Sequence, residues 1–162
     1  MDTKSYWRKS AALPRFEKLK SNYKVDVVVI GAGITGITAA YLLKKTDHTV
    51  ALLERGRRLG GFDTSNTTAH LTCVTDVRLH ELVHRFGKDT ARAVWDGGRA
   101  AIDLIFNNVR NESIDCEFTW VPAYLHASLQ SEAKKERQSL EKDCQIAVGL
   151  ERSRVTVQVN RE

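Results

Sequence analysis

The chain has 162 residues, a net charge of +5, and 42% hydrophobic and 28% charged residues. That is one domain's worth of ordinary globular composition, enough to bury a core. The basic residues are scattered and form no stripe interleaved with aromatics, so nucleic acid is not indicated as a partner.

No apolar run reaches membrane-spanning length, and the charged N-terminus lacks a signal-peptide core. Cys73, Cys116 and Cys144 are an odd, widely spaced set without a C-x-x-C pair. A soluble cytoplasmic protein with reduced thiols is the expectation.

Residues 1–23 are basic, contain Pro14 and carry no sustained period, and read as an arm packed over the domain or only partly ordered. Residues 25–30 are apolar and rich in β-branched side chains, the pattern of a strand buried on both faces of a parallel sheet. Gly31, Gly33 and Gly36 follow in the spacing G-x-G-x-x-G and open a helical run over 34–45 that is apolar nearly all round. A turn at Thr46, Asp47 and His48 leads to a second apolar run, 50–53, closed by Glu54. The whole reads as a Rossmann-type βαβ unit, an α/β fold with a parallel sheet.

Each part of this unit has a chemical reason. Gly31 permits the tight turn out of the strand, Gly33 lets a pyrophosphate approach the backbone, and Gly36 lets the helix lie close on the sheet. The helix N-terminus offers N–H groups and a positive dipole end to phosphate. Glu54 stands where a carboxylate accepts the hydroxyls of an adenosine ribose, and it would repel a 2′-phosphate, which argues against NADP. The candidate cofactor-binding set is Gly31, Ala32, Gly33, Ile34, Thr35, Gly36 and Glu54, with Arg55 the best placed of the arginines that follow. The fingerprint itself leaves FAD and NAD open.

Beyond the unit, Leu79, Leu82, Val83 and Phe86 fall at helical spacing after a cap at Thr75 or Asp76, and Gly87 stops that helix. A longer helix is predicted from Asp89 or Thr90 to about Arg110, striped by Val94, Trp95, Ile102, Ile105, Phe106 and Val109. Gly97 and Gly98 stand in it as a weak point or a close-packing site. Residues 115–127 read as an extended, hairpin-like stretch, and 131–148 as a charged helix with Leu140, Cys144 and Ala147 facing inward. In residues 151–162, Val155, Val157 and Val159 alternate with polar residues, so a short strand or an irregular end is expected.

His80-Glu81-Leu82-Val83-His84 has the H-E-x-x-H spacing of a zinc protease. The extended pattern holds to Gly87 and then fails, because Thr90 stands where the third histidine belongs. Glu112 and His126 are the nearest alternative ligands. A pair of solvent-facing histidines, and no metal site, is the expectation.

VDVVVIGAGITGITAAYLL, VALLERG and LGG, the last ending at Gly61, together resemble FAD-dependent oxidoreductases of the D-amino-acid oxidase-like, DadA-like group. Ala40 fits that family's extended fingerprint. The run 64–72, TSNTTAHLT, resembles the Thr-rich loop that passes under the flavin in a branch often joined to a C-terminal Rieske domain. The opening Ser5-Tyr6-Trp7 resembles that branch as well. His70 departs from the basic residue, usually lysine, of that position.

The resemblance implies FAD as cofactor, with Gly61 in its binding loop and Thr67 and Thr68 donating to pyrophosphate or flavin oxygens. It implies an amine or amino-acid substrate that delivers hydride to flavin N5. It also divides the chain into an arm (1–23), a FAD-binding domain (24–114), the start of a substrate domain with its helix (115–150) and a C-terminal stretch (151–162). Family enzymes are more than twice as long, so a truncated chain, inactive alone, is expected. The alternatives are an NAD-linked dehydrogenase domain, a zinc hydrolase and an inactive fragment. Catalytic residues and oligomeric state are left open.

Overall fold

The computed structural model describes residues 4–56, 58–61, 63–126 and 133–150. The stretch 151–162, with its candidate strand, lies outside the described residues. The chain divides into two compact units, the first ending at His70 and the second beginning at Leu71.

The first unit opens with a short helix, α1 (Tyr6–Ser10), inside the arm that shows no period in sequence. The βαβ unit follows as β1 (Val27–Ile30), α2 (Ile34–Lys44) and β2 (Val50–Leu53). The strands pair in parallel with Val27 opposite Val50 and Ile30 opposite Leu53. Asp26 pins this register. Its Oδ2 accepts from the Thr49 N–H at 2.8 Å and hydroxyl at 2.6 Å, so both strands start level. Those hydrogen bonds, the hydroxyl's first, hold the Asp26 carboxyl below the usual range. Asp47 takes the left-handed conformation (φ +61°) that short polar side chains tolerate, turning the chain from α2 into β2.

Burial of β1 on both faces is not what the structure has. Val27 and Val29 are half-buried on the face that α2 covers, whereas Val28 is 51% and Ile30 85% exposed. Among the described residues the sheet has two strands and one covering helix, so the apolar run meets a partner on one side alone.

In the second unit, α3 (Leu79–Asn111) is two helices run together across a break at Gly87, where φ is +82° and ψ +165°. Glycine adopts that conformation without a Cβ clash, and the helix stops there as the sequence indicates. Its cap is Arg78 rather than Thr75 or Asp76. α4 (Ala133–Leu150) packs on α3. Leu79, Ala91 and Ala147 form the buried core, ringed by Leu82, Val83, Trp95, Ile146 and Leu150. Phe86, assigned to the stripe by spacing, is 60% exposed beside the break. A Cβ on Gly98 would sit 3.1 Å from the Cys73 Cα, so Gly98 is a close-packing site, while Gly97 faces open space. The irregular stretch after α3 is fixed by an aromatic trio, Phe106, Phe118 and Trp120, with centroids 5.4–5.6 Å apart.

Candidate cofactor site

The β1–α2 junction is built as its chemistry demands. The Gly31 N–H donates to the Leu53 carbonyl at 2.7 Å, ending the sheet ladder, and the residue then turns at φ +98°. An added Cβ on Gly36 would lie 1.9 Å from the Gly31 carbonyl oxygen, so helix and turn touch backbone to backbone. Nothing larger than glycine fits there.

Glu54 reaches into this turn. Its Oε2 accepts the Ala32 N–H at 2.8 Å and its Oε1 the Gly56 N–H at 2.5 Å. The Ala32 bond first, then the Gly56 bond, hold its carboxyl below the usual glutamate range, so it is ionised at neutral pH. An anionic acceptor therefore stands between the first and second glycines of the fingerprint.

The loop after β2 closes over the helix N-terminus. The Gly60 N–H donates to the Ala32 carbonyl at 2.8 Å, and the Thr64 hydroxyl accepts the Ile34 N–H at 3.0 Å. Thr64 begins a short 3-10 turn, Thr64–Asn66. Between this turn and Ile34 lies an open pocket of about 570 Å³, lined by Ile34, Asp63, Thr64, Asn66 and Thr67.

Of the residues singled out in the sequence, Gly31 through Gly36 and Glu54 come together here. Thr67 lines the pocket, and its hydroxyl accepts the Ala69 N–H at 3.1 Å. Ala69 is held in the left-handed region at φ +58°. The Thr68 hydroxyl accepts the His70 N–H at 3.4 Å, and the Gly61 carbonyl accepts the Ser65 hydroxyl at 2.7 Å. Arg55, Gly61 and His70 are exposed.

Two contributors escape a reading of the fingerprint. Thr64, at the start of the Thr-rich run, caps α2. The arm reaches the loop: Trp7 Nε1–H donates to the Thr67 carbonyl at 2.7 Å and Ser5 Oγ–H to the Ser65 carbonyl at 2.5 Å. The resemblance of Ser5-Tyr6-Trp7 to the same branch as the Thr-rich run was the available signal.

Of the two H-E-x-x-H histidines, His80 does other work. His80 is not solvent-facing: its Nδ1 lies 2.7 Å from Asp143 Oδ1, and its backbone N–H donates to the same oxygen at 2.9 Å. Asp143 is buried, so the pair staples α3 to α4. His84 is exposed. Among the described residues no group of three or more His, Cys, Asp or Glu is arranged to hold a metal ion. Burial first, then the Asp143 and Glu141 charges, push the Cys144 thiol up, which disfavours its thiolate.

A glycine turn with backbone against backbone, an ionised acid on its amide and a pocket at the helix N-terminus define a dinucleotide-binding βαβ protein. Residues 26–161 match the family described as FAD dependent oxidoreductase. The chain belongs to that family. Its relatives include YhfW of Bacillus subtilis, named for a Rieske 2Fe-2S iron–sulfur centre, 36% identical over 91% of this chain and 28% of its own length. OrdL of Haemophilus influenzae, named an oxidoreductase, is 27% identical over 80% of this chain and 29% of its own. Gamma-glutamylputrescine oxidoreductase of Escherichia coli is 29% identical over 72% and 27%. The chain thus spans less than a third of the length of these relatives. No solved structure gives a significant match.

Family membership supplies what the fingerprint leaves open: the cofactor is FAD. The residues present fit it. Gly36 packed on Gly31 sets the N-terminus of α2 against the turn, Gly33 carries no side chain to hold a diphosphate off, and Glu54 is an ionised acceptor of the kind a ribose requires. Among the described residues no helix is long and apolar enough to cross a membrane.

Proposed function

We propose that this chain is the FAD-binding portion of an enzyme that oxidises C–N bonds of amines or amino acids. The single observation that carries the reading is the Glu54 carboxylate seated on the Ala32 amide within the glycine turn of a family member. The substrate class rests on relatives such as gamma-glutamylputrescine oxidoreductase. FAD, when bound, supplies a two-electron acceptor for hydride from the carbon bearing nitrogen.

The chain's own contribution is binding and orientation. The Gly31, Ala32 and Ile34 amides are taken by Leu53, Glu54 and Thr64, so the dipole of α2 and the remaining amides of the turn, those of Gly33 and Thr35, face the diphosphate. Glu54 accepts the ribose hydroxyls, and its two backbone bonds fix it for that role before the cofactor arrives. Thr67 and Thr68 are the hydroxyl donors on the loop, each held by an N–H two residues on. Gly61 and Arg55 flank the same loop. FAD binding is assigned to residues 24–114, and 115–150 begin the substrate domain. Substrate is a small molecule rather than nucleic acid, and the free thiols of Cys73, Cys116 and Cys144 suit a cytoplasmic location.

The test is the absorbance spectrum of the purified protein, followed by anaerobic addition of amines and amino acids. Flavin bands in the purified chain support the FAD-binding reading, and their bleaching by such a compound supports the amine or amino-acid substrate class. A colourless protein stabilised by NAD and indifferent to FAD overturns it.

A further inference from the structure

We infer that the N-terminal arm is a clamp on the wall of the cofactor pocket, with Trp7 its main positioning residue and Ser5 and Arg8 its supports. The inference rests on the reading of that pocket as the FAD site and extends it to residues no fingerprint covers. The wall in question is the 3-10 turn Thr64–Asn66 with Asp63 and Thr67 beside it. A single 3-10 turn holds itself weakly: the Asn66 N–H donates to the Asp63 carbonyl at 3.0 Å, and no side chain caps the turn. Such a segment takes its position from outside partners.

α1 provides them from about sixty residues away in the chain. The Trp7 indole N–H donates to the Thr67 carbonyl at 2.7 Å, the Ser5 hydroxyl to the Ser65 carbonyl at 2.5 Å, and Arg8 Nε–H to Ser65 Oγ at 3.2 Å. Ser65 Oγ–H passes the restraint on to the Gly61 carbonyl at 2.7 Å. Tyr6 packs edge-on against the Trp7 ring at 5.0 Å, which limits its rotation. The arm grips the outer backbone of the segment whose Thr64 hydroxyl caps Ile34 on the inner side. Loosening the grip therefore changes the distance between the loop and the N-terminus of α2, where the diphosphate has to fit.

The experiment is a titration of the full 162-residue chain with FAD, read by flavin fluorescence and by visible circular dichroism of the bound flavin. Wild type is compared with Trp7→Phe, which keeps the ring and deletes the donor, with Ser5→Ala, and with Phe16→Ser, an exposed arm position outside the clamp. The clamp predicts an affinity loss of about threefold to tenfold for Trp7→Phe, a smaller one for Ser5→Ala and none for Phe16→Ser. It also predicts an altered dichroic band for the flavin that Trp7→Phe still binds. Wild-type affinity and wild-type dichroism in Trp7→Phe overturn the clamp alone, as does a loss of affinity with an unchanged band. A wild-type chain that takes up no FAD overturns the cofactor reading itself, and the clamp with it.

Discussion

Gly36→Ala tests the geometry of the site at its tightest point. The new Cβ would stand 1.9 Å from the Gly31 carbonyl oxygen and 3.1 Å from its carbon. A sound carbon–oxygen contact is about 3.3 Å, so α2 must retreat by about 1.4 Å or the turn must open. Both partners are backbone, and no flexible side chain can absorb the overlap. Overpacking of this kind costs about 1–3 kcal/mol, against which alanine's better helix propensity returns about 0.5–1. A net loss of about 1.5 kcal/mol in a unit of this size lowers the melting temperature by roughly 6–12 °C. If the free protein relieves the strain by opening the turn, FAD must close it again, and affinity falls roughly tenfold. Urea unfolding and an FAD titration read the two effects. Gly97→Ala is the control, since a Cβ there meets nothing within 4 Å and should stabilise α3 by about 0.5–1 kcal/mol. Gly36→Ala as stable as Gly97→Ala, with undiminished FAD affinity, would refute the close approach.

Other outcomes follow from the same contacts. Asp143→Ala leaves the His80 N–H without its acceptor and Arg78 without the carboxylate charge 3.6 Å away at the α3–α4 contact, and should cost about 1–3 kcal/mol in urea unfolding. Thr64→Val removes the acceptor of the Ile34 N–H and should cost about 1 kcal/mol, with Thr64→Ser restoring most of it. Glu54 has a folded-state pKa below its unfolded one, so its contribution is complete above the ordinary glutamate range and fades as pH drops through the folded value. The melting-temperature gap between wild type and Glu54→Gln should accordingly be widest near neutrality and narrow below about pH 4. Asp26 titrates in the same direction in both proteins and cancels from the difference.

What could be read ahead of the structure was what local chemistry dictates. Three glycines at fixed spacing, an apolar run on either side and an acid at the next strand's tip all express constraints within about thirty residues of one another. The break at Gly87 was legible for the same reason, since φ +82° with ψ +165° is a conformation essentially reserved to glycine. Partners distant in sequence were not legible. Asp143 looks like one more charge on a charged helix until α3 brings His80 against it, and the solvent-facing histidine pair becomes half a staple. Trp7 and Thr67 are joined only by the fold. The two-sided burial expected of β1 failed because an apolar run shows that a surface wants covering, but not which element in the described chain covers it. Among the described residues Val28 and Ile30 have no such cover.

The account stands on an adenine dinucleotide held by the turn between β1 and α2. Equilibrium displacement of FAD by ADP, followed in the flavin spectrum of wild type and of Gly33→Val, tests this most directly. ADP alone should displace FAD from the wild-type chain, and valine at position 33 should abolish binding of both while the far-ultraviolet spectrum stays unchanged. FAD that is bound equally well by Gly33→Val, or that ADP cannot displace, would contradict it.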